Sequence, residues 1–170
     1  SEELMKKLFR INSIPDNTFI NKKKLNKNNH ILISVACSGD SKQWGYENHF
    51  KIIQFLIKKK FNNFCILAGK RQSEMEKLLI SNFNKNNVVI KGTSHLELID
   101  IFEIICSAKF YFGHDTGFMH MVTSFEIPAL IIYGDIPPFD YNKYMNSIKS
   151  DNDIYNKNSI KNISFDKVKN

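Results

Sequence analysis

Short apolar runs alternate with longer segments of helical periodicity along most of this 170-residue chain. His30-Ile-Leu-Ile-Ser-Val-Ala36, Asn63-Phe-Cys-Ile-Leu-Ala-Gly69, Val88-Val-Ile90, Lys109–Gly113 and Ala129-Leu-Ile-Ile-Tyr133 read as strands buried on both faces. Between them the apolar spacing changes to that of helices. Tyr46–Lys60 places Phe50, Ile53, Leu56 and Ile57 on one side, and Ser73–Phe83 does the same with Met75, Leu78, Leu79 and Phe83. Leu96–Ala108 is a strongly apolar helix, with Ser94 expected as its N-cap in a capping box with Glu97. Gly117–Phe125 is a further helix, ended before Pro128.

Strands alternating with helices predict an α/β fold: a parallel sheet covered by helices on both faces. Five strands at this spacing suggest the Rossmann-like order 3-2-1-4-5. The loops after the first and fourth strands, Cys37–Gly45 and Gly113–Gly117, then meet at the switch point where ligands bind. The organisation read from the chain has three parts. Residues 1–29 form a helix over Glu3–Ile14 and an Asn/Lys-rich linker, residues 30–140 the Rossmann-like domain, and residues 141–170 a polar tail with a short helix near Phe165–Lys169.

Residues 113–120, Gly-His-Asp-Thr-Gly-Phe-Met-His, carry the most chemistry. A strand that turns into a helix through Asp-Thr-Gly presents unpaired backbone N–H groups and partial positive charge to an anion. Gly117 allows close approach. His120, one helical turn on, faces the same groove. Asp115 reads equally as a helix N-cap, and His120 as a packed helix histidine. A hydrolytic dyad of the two lacks a G-x-S-x-G nucleophile, and a single Asp-Thr-Gly in an α/β pattern does not make an aspartic protease. The first loop, Cys37-Ser-Gly-Asp-Ser-Lys-Gln-Trp44, adds hydroxyls and, in Lys42, a point charge suited to phosphate. No G-x-G-x-x-G or Walker sequence is present, which argues against an ordinary NAD domain and a P-loop NTPase.

Composition narrows the picture little. The formal charge of +7 comes from dispersed lysines, with short clusters at Lys22–Lys24 and Lys58–Lys60, and no nucleic-acid motif accompanies it. Cys37, Cys65 and Cys106 lack C-x-x-C spacing and read as free thiols of a reducing cytoplasm. No apolar run reaches the length of a membrane span, and the N-terminus has no signal-peptide pattern. The chain lacks an initiator Met, which suggests a processed chain or a fragment.

The Ala36-Cys-Ser-Gly-Asp-Ser-Lys-Gln-Trp44 loop, Leu67-Ala-Gly69, Lys91-Gly-Thr-Ser94, Gly113–His120, and Pro128 to Tyr133-Gly134 together resemble the C-terminal, donor-binding half of the ADP-heptose:lipopolysaccharide heptosyltransferases, glycosyltransferase family nine, of GT-B fold. The resemblance covers residues 30–140. It implies transfer of a sugar, heptose first, from an ADP-sugar to a lipopolysaccharide or lipooligosaccharide core acceptor. Lys42 would contact the donor and stabilise the leaving group, and Cys37 and Ser38 would lie near the phosphates. Thr116 and Gly117 would bind the diphosphate, Asp115 the transferred sugar, and His120 the diphosphate site. A residue in Lys70–Glu74, with Glu74 the first choice, would approach the nucleoside, while Thr93 and Ser94 would border the base.

The implied setting is bacterial and cytoplasmic, at the inner face of the inner membrane, with neither metal nor other cofactor and no nucleic-acid partner. The family's acceptor domain and its catalytic base lie outside the residues matched, so the chain alone is expected to be inactive. Cys37, Gly45 and His114 depart from the residues common in the family. Alternatives are a non-catalytic nucleotide-sugar-binding module, a protein O-glycosyltransferase and a nucleotide-sugar epimerase.

Overall fold

In a computed structural model describing residues 29–84, 87–139, 141–150 and 155–169, the chain forms one parallel six-stranded sheet. The strands are β1 (Ile31–Ser34), β2 (Asn63–Leu67), β3 (Val89–Gly92), β4 (Phe110–His114), β5 (Ala129–Tyr133) and β6 (Met145–Lys149). The helices are α1 (Tyr46–Lys58), α2 (Ser73–Phe83), α3 (Leu98–Cys106), α4 (Gly117–Ser124) and α5 (Phe165–Lys169). The expected Glu3–Ile14 helix lies outside the described residues.

Strand order is β3-β2-β1-β4-β5-β6, with every pairing parallel. This extends the expected five-strand order by one strand. The side-chain alternation of each strand explains why the runs are apolar throughout. Ile31 and Ile33 join Phe64, Ile66 and Phe112 beneath α1, α2 and α5. Leu32 joins Cys65, Leu67, Tyr111 and Ile131 beneath α3 and α4. A strand buried on both faces needs no polar side, and each buried Ile or Leu contributes roughly 1.5–3 kcal/mol.

The sixth strand lies in the segment read as a polar tail. Met-Asn-Ser-Ile-Lys pairs along β5 at the sheet edge, with its side chains mostly exposed or half-buried, so it carries no run of core residues. The chain then returns to the core through Ile160, Ile163 and Val168. Gly134 admits this return: a Cβ there would stand 2.5 Å from Ile160 Cβ and 2.6 Å from its backbone nitrogen.

Two local expectations are corrected. Ser94 does not cap α3. The helix begins at Leu98 with Glu97 in the N-cap position and no side-chain cap bond. Ser94 is engaged elsewhere, its backbone N–H donating to Glu76 Oε1 at 2.9 Å and its hydroxyl bonded to Glu76 Oε2. Leu78, expected inward on α2, is exposed, and the buried Glu76 takes an inward place. Among the described residues, no helix is long and apolar enough to cross a membrane.

Candidate functional site

The C-terminal ends of β1, β2, β4 and β5 surround a cleft of about 830 Å³. It lies where β1 and β4 are neighbours although their helices leave on opposite faces, the switch point of a doubly wound sheet. The β1 loop contributes Ala36, Cys37 and Ser38. Gly69 to Gln72 come from the end of β2, Leu98 from the start of α3, and Phe139 from beyond β5. Asp115 to Phe118, His120 and Met121 form the wall opposite the β2 loop.

The β1 loop is shaped by hydrogen bonds from its own backbone ends. Val35 N–H and Ala36 N–H both donate to Leu67 O, at 2.9 and 3.2 Å, which ties the loop to the end of β2. The Gln43 side-chain amide donates to Val35 O at 3.1 Å and lies 3.4 Å from Cys37 Sγ. A 3-10 turn over Asp40–Lys42 follows Gly39. Gly45 closes the loop at φ +94°, a conformation closed to proline, whose ring holds φ near −65°.

His114, the last residue of β4, holds both ends of this loop. Its Nδ1–H donates to Ala36 O at 3.0 Å, and its Nε2 accepts the Trp44 backbone N–H at 3.2 Å. Only a neutral imidazole can donate at one nitrogen and accept at the other. Burial, reinforced by neighbouring His49, lowers the His114 pKa to about 3 and keeps it neutral. Trp44 is buried and packs edge-on to His49 and Phe112, and its indole N–H donates to Ile163 O at 2.7 Å. It therefore anchors the loop to the returning C-terminal segment as well as to α1.

At the start of α4, Thr116 rather than Asp115 occupies the N-cap position, and no side chain caps the helix. A Cβ on Gly117 would meet nothing within 4 Å, so open space lies before the first turn. Asp115 has only 16% of its side chain exposed, and Oδ1 lies 3.9 Å from His120 Nε2. Burial raises its pKa above the ordinary carboxylate value, with His120 and Lys42 opposing the shift and Asp135 adding to it. Lys42 is outside the cleft lining and pairs at the rim with Asp135 Oδ2, at 3.1 Å. Burial also raises the pKa of the Cys37 thiol. It is a free, half-buried thiol whose carbonyl accepts from the Gln72 side chain at 3.4 Å.

The structure thus gathers Cys37, Ser38, Asp115, Thr116, Gly117 and His120 into one cleft, with Lys42 at its edge. Glu74 and Thr93 fall outside it. Glu74 is exposed on the first turn of α2. Thr93 is buried, and its Oγ1 accepts Ala68 N–H at 3.1 Å. Lys70, Arg71 and Gln72, from the segment expected near the nucleoside, line the cleft, and so do Leu98, Phe118, Met121 and Phe139, which were not assigned to the site from the sequence. The usable signal for Lys70 and Arg71 was their place directly after Gly69, at the C-terminal end of the strand beside β1. A second hollow of about 680 Å³ beside β3, reaching His30, Cys65 and His95, holds none of the predicted site residues.

The sequence model of "Glycosyltransferase family 9 (heptosyltransferase)" matches residues 9–167. The chain belongs to this family. Its fold is the Rossmann-like half of a GT-B enzyme, as similarity to solved structures shows. Escherichia coli ADP-heptose lps heptosyltransferase II aligns with a TM-score of 0.70 and 15% identity, over 98% of this chain and 48% of that one. E. coli heptosyltransferase WaaC with ADP aligns with a TM-score of 0.67 and 19% identity, over 82% of this chain and 42% of that one. A family 9 glycosyltransferase from Veillonella parvula gives 0.66 and 14%, over 85% and 45%. The chain therefore spans less than half the length of these family members. No curated protein gives a significant match.

Proposed function

We propose that this family 9 chain is the donor-binding half of a glycosyltransferase that takes a sugar, heptose first, from an ADP-sugar and delivers it to a lipopolysaccharide or lipooligosaccharide core. The observation that carries the reading is the convergence of Ser38, Asp115, Gly117 and His120 on a single switch-point cleft with Lys42 at its rim. Solved structures of E. coli heptosyltransferase WaaC with ADP and with ADP-2-deoxy-2-fluoro heptose support the choice of ligand.

In this reading the diphosphate lies against the uncapped start of α4, where backbone N–H groups and the helix dipole favour negative charge. Gly117 leaves it room. Lys42 exchanges its Asp135 partner for a phosphate oxygen, His120 lines the diphosphate site, and Asp115 meets the transferred sugar. Transfer is an inverting displacement. An acceptor hydroxyl, deprotonated by a base in a separate acceptor domain, attacks the anomeric carbon as the bond to the diphosphate oxygen breaks. Lys42 and the helix start stabilise the charge left on the diphosphate, with no metal required of them. The location assigned to the enzyme is the cytoplasmic face of the inner membrane, where such an acceptor is lipid-anchored.

The test is calorimetry of the purified chain with ADP, UDP and GDP, followed by Lys42→Ala. ADP is expected to bind most tightly and Lys42→Ala to weaken it about tenfold, the loss of one charge-assisted contact. Failure of all three nucleotides to bind would sink the donor-site reading. Equal ADP affinity in Lys42→Ala would remove Lys42 from it.

A further inference from the structure

The β5–β6 connection carries a small aromatic group that has no place in the donor reading above. Phe139 and Tyr141 pack against His120 with ring centroids 5.7 and 5.9 Å away, and against each other at 6.1 Å. The His120 and Tyr141 rings are nearly parallel, at 10°, and the Tyr141 hydroxyl is hydrogen-bonded to His120 Nδ1. His120 Nε2 lies on the other side of the ring, towards Asp115.

The geometry points to Tyr141 as a positioning residue that holds the His120 ring with Nδ1 turned away and an Nε2–H presented to the anion in the cleft. This rests on the donor-site reading for its ligand, a nucleoside diphosphate, but not for the side-chain arrangement itself. An imidazole with 41% of its side chain exposed has freedom to turn about its χ angles. A phenol that donates to Nδ1 removes that freedom and makes Nε2 the protonated nitrogen. The phenol keeps its proton, because burial and the charge of Asp115 raise the Tyr141 pKa. Phe139, which lines the cleft, packs against the same imidazole. Among the described residues, the charged groups nearest this arrangement include Asp115 beside His120 and the Lys42–Asp135 pair that spans the β1 and β5 loops, with Lys70 and Arg71 lining the same cleft. Asp115 faces Nε2 and reinforces the same tautomer.

Tyr141→Phe separates this role from packing, because it removes one oxygen and leaves the ring. The side-chain nitrogen-15 spectrum of the ligand-free chain is expected to show His120 Nδ1 as an unprotonated, hydrogen-bonded acceptor. Its resonance is expected to move towards that of a free imidazole nitrogen in Tyr141→Phe. ADP affinity is expected to fall about five-fold with the melting midpoint unchanged, the scale of one hydrogen bond. A protonated Nδ1 in the parent chain, an Nδ1 resonance unmoved by Tyr141→Phe, or an unchanged ADP affinity in a chain that does bind ADP overturns the assignment. If the parent chain binds no nucleotide, the donor-site reading fails by itself, and the nitrogen spectrum still decides whether Tyr141 orients His120.

Discussion

His114 Nε2 accepts the Trp44 backbone N–H at 3.2 Å across 70 residues of sequence, while its Nδ1–H donates to Ala36 O. One buried imidazole on β4 thus spans the loop that carries Cys37, Ser38 and Lys42. Substitution of His114 by Ala leaves a buried carbonyl and a buried N–H without their partner and opens a cavity. The expected cost is roughly 2–4 kcal/mol, a fall in melting midpoint of about 5–15 °C. ADP binding should weaken as well, because Lys42 would no longer be held at the cleft rim. A midpoint unchanged by His114→Ala would mean that the Trp44 indole bond to Ile163 suffices to hold the loop.

The same buried imidazoles predict sensitivity to acid. Burial lowers the pKa of His114 to about 3 and that of fully buried His49 to about 4, against 6.5 for the unfolded chain. A folded-state pKa below the unfolded value means that the unfolded chain binds the proton first. Stability is therefore full above pH 6.5 and falls as the pH drops. Both groups contribute between pH 6.5 and about 4, and His114 alone continues to about 3. The slope should approach about 1.4 kcal/mol per pH unit for each histidine. Urea titrations at several pH values measure it, and His49→Gln should reduce the slope above pH 4. A slope unaffected by that change would place the acid sensitivity elsewhere.

Much of this was legible because buried parallel strands must be apolar on both faces. The runs at Ile31, Phe64, Phe110 and Ala129 announced themselves without their partners. The Asp115-Thr116-Gly117 turn was legible for a related reason: a turn from strand into helix is made by contiguous residues. Met145–Lys149 was not, since an edge strand with one paired side and few buried side chains leaves no apolar pattern. Glu74 and Thr93 were misplaced with respect to the cleft because which side of a loop faces inward depends on tertiary contacts. At Thr93 these are Glu76 and Ala68. Tyr141 and His114 act through partners 21 and 70 or more residues away, and no local spacing encodes such pairs.

Glu76 supplies a prediction about stability alone. Its buried carboxylate accepts Thr93 N–H, Ser94 N–H and the Ser94 hydroxyl, fixing the turn after β3. Glu76→Ala strands three donors and is expected to cost about 3–5 kcal/mol, whereas Glu76→Gln keeps one oxygen and should cost about half as much. Gly92 lies under this side chain, and a Cβ there would collide with the Glu76 carboxyl group. Gly92→Ala should therefore destabilise by about 1–3 kcal/mol. Chemical denaturation distinguishes the three variants, and equal losses for Glu76→Ala and Glu76→Gln would show that the hydrogen bonds contribute little beyond side-chain volume.

Gly117 behaves oppositely, and the contrast separates folding from binding. A Cβ at Gly113 would meet Ser34 Cβ at 2.5 Å and one at Gly134 would meet Ile160, but one at Gly117 meets nothing within 4 Å. No protein contact in the described structure demands a glycine there. Alanine is the better helix former by up to about 1 kcal/mol, so Gly117→Ala should leave the melting midpoint equal or slightly higher. If the open space before α4 is where the diphosphate lies, the added methyl blocks its approach to the helix N–H groups, and ADP affinity should fall tenfold or more. Gly117→Asp adds a negative charge in the same space and should abolish binding while the fold persists. Thermal melting and calorimetry on the two variants read these effects separately. Retained ADP affinity in Gly117→Asp would move the anion away from the start of α4.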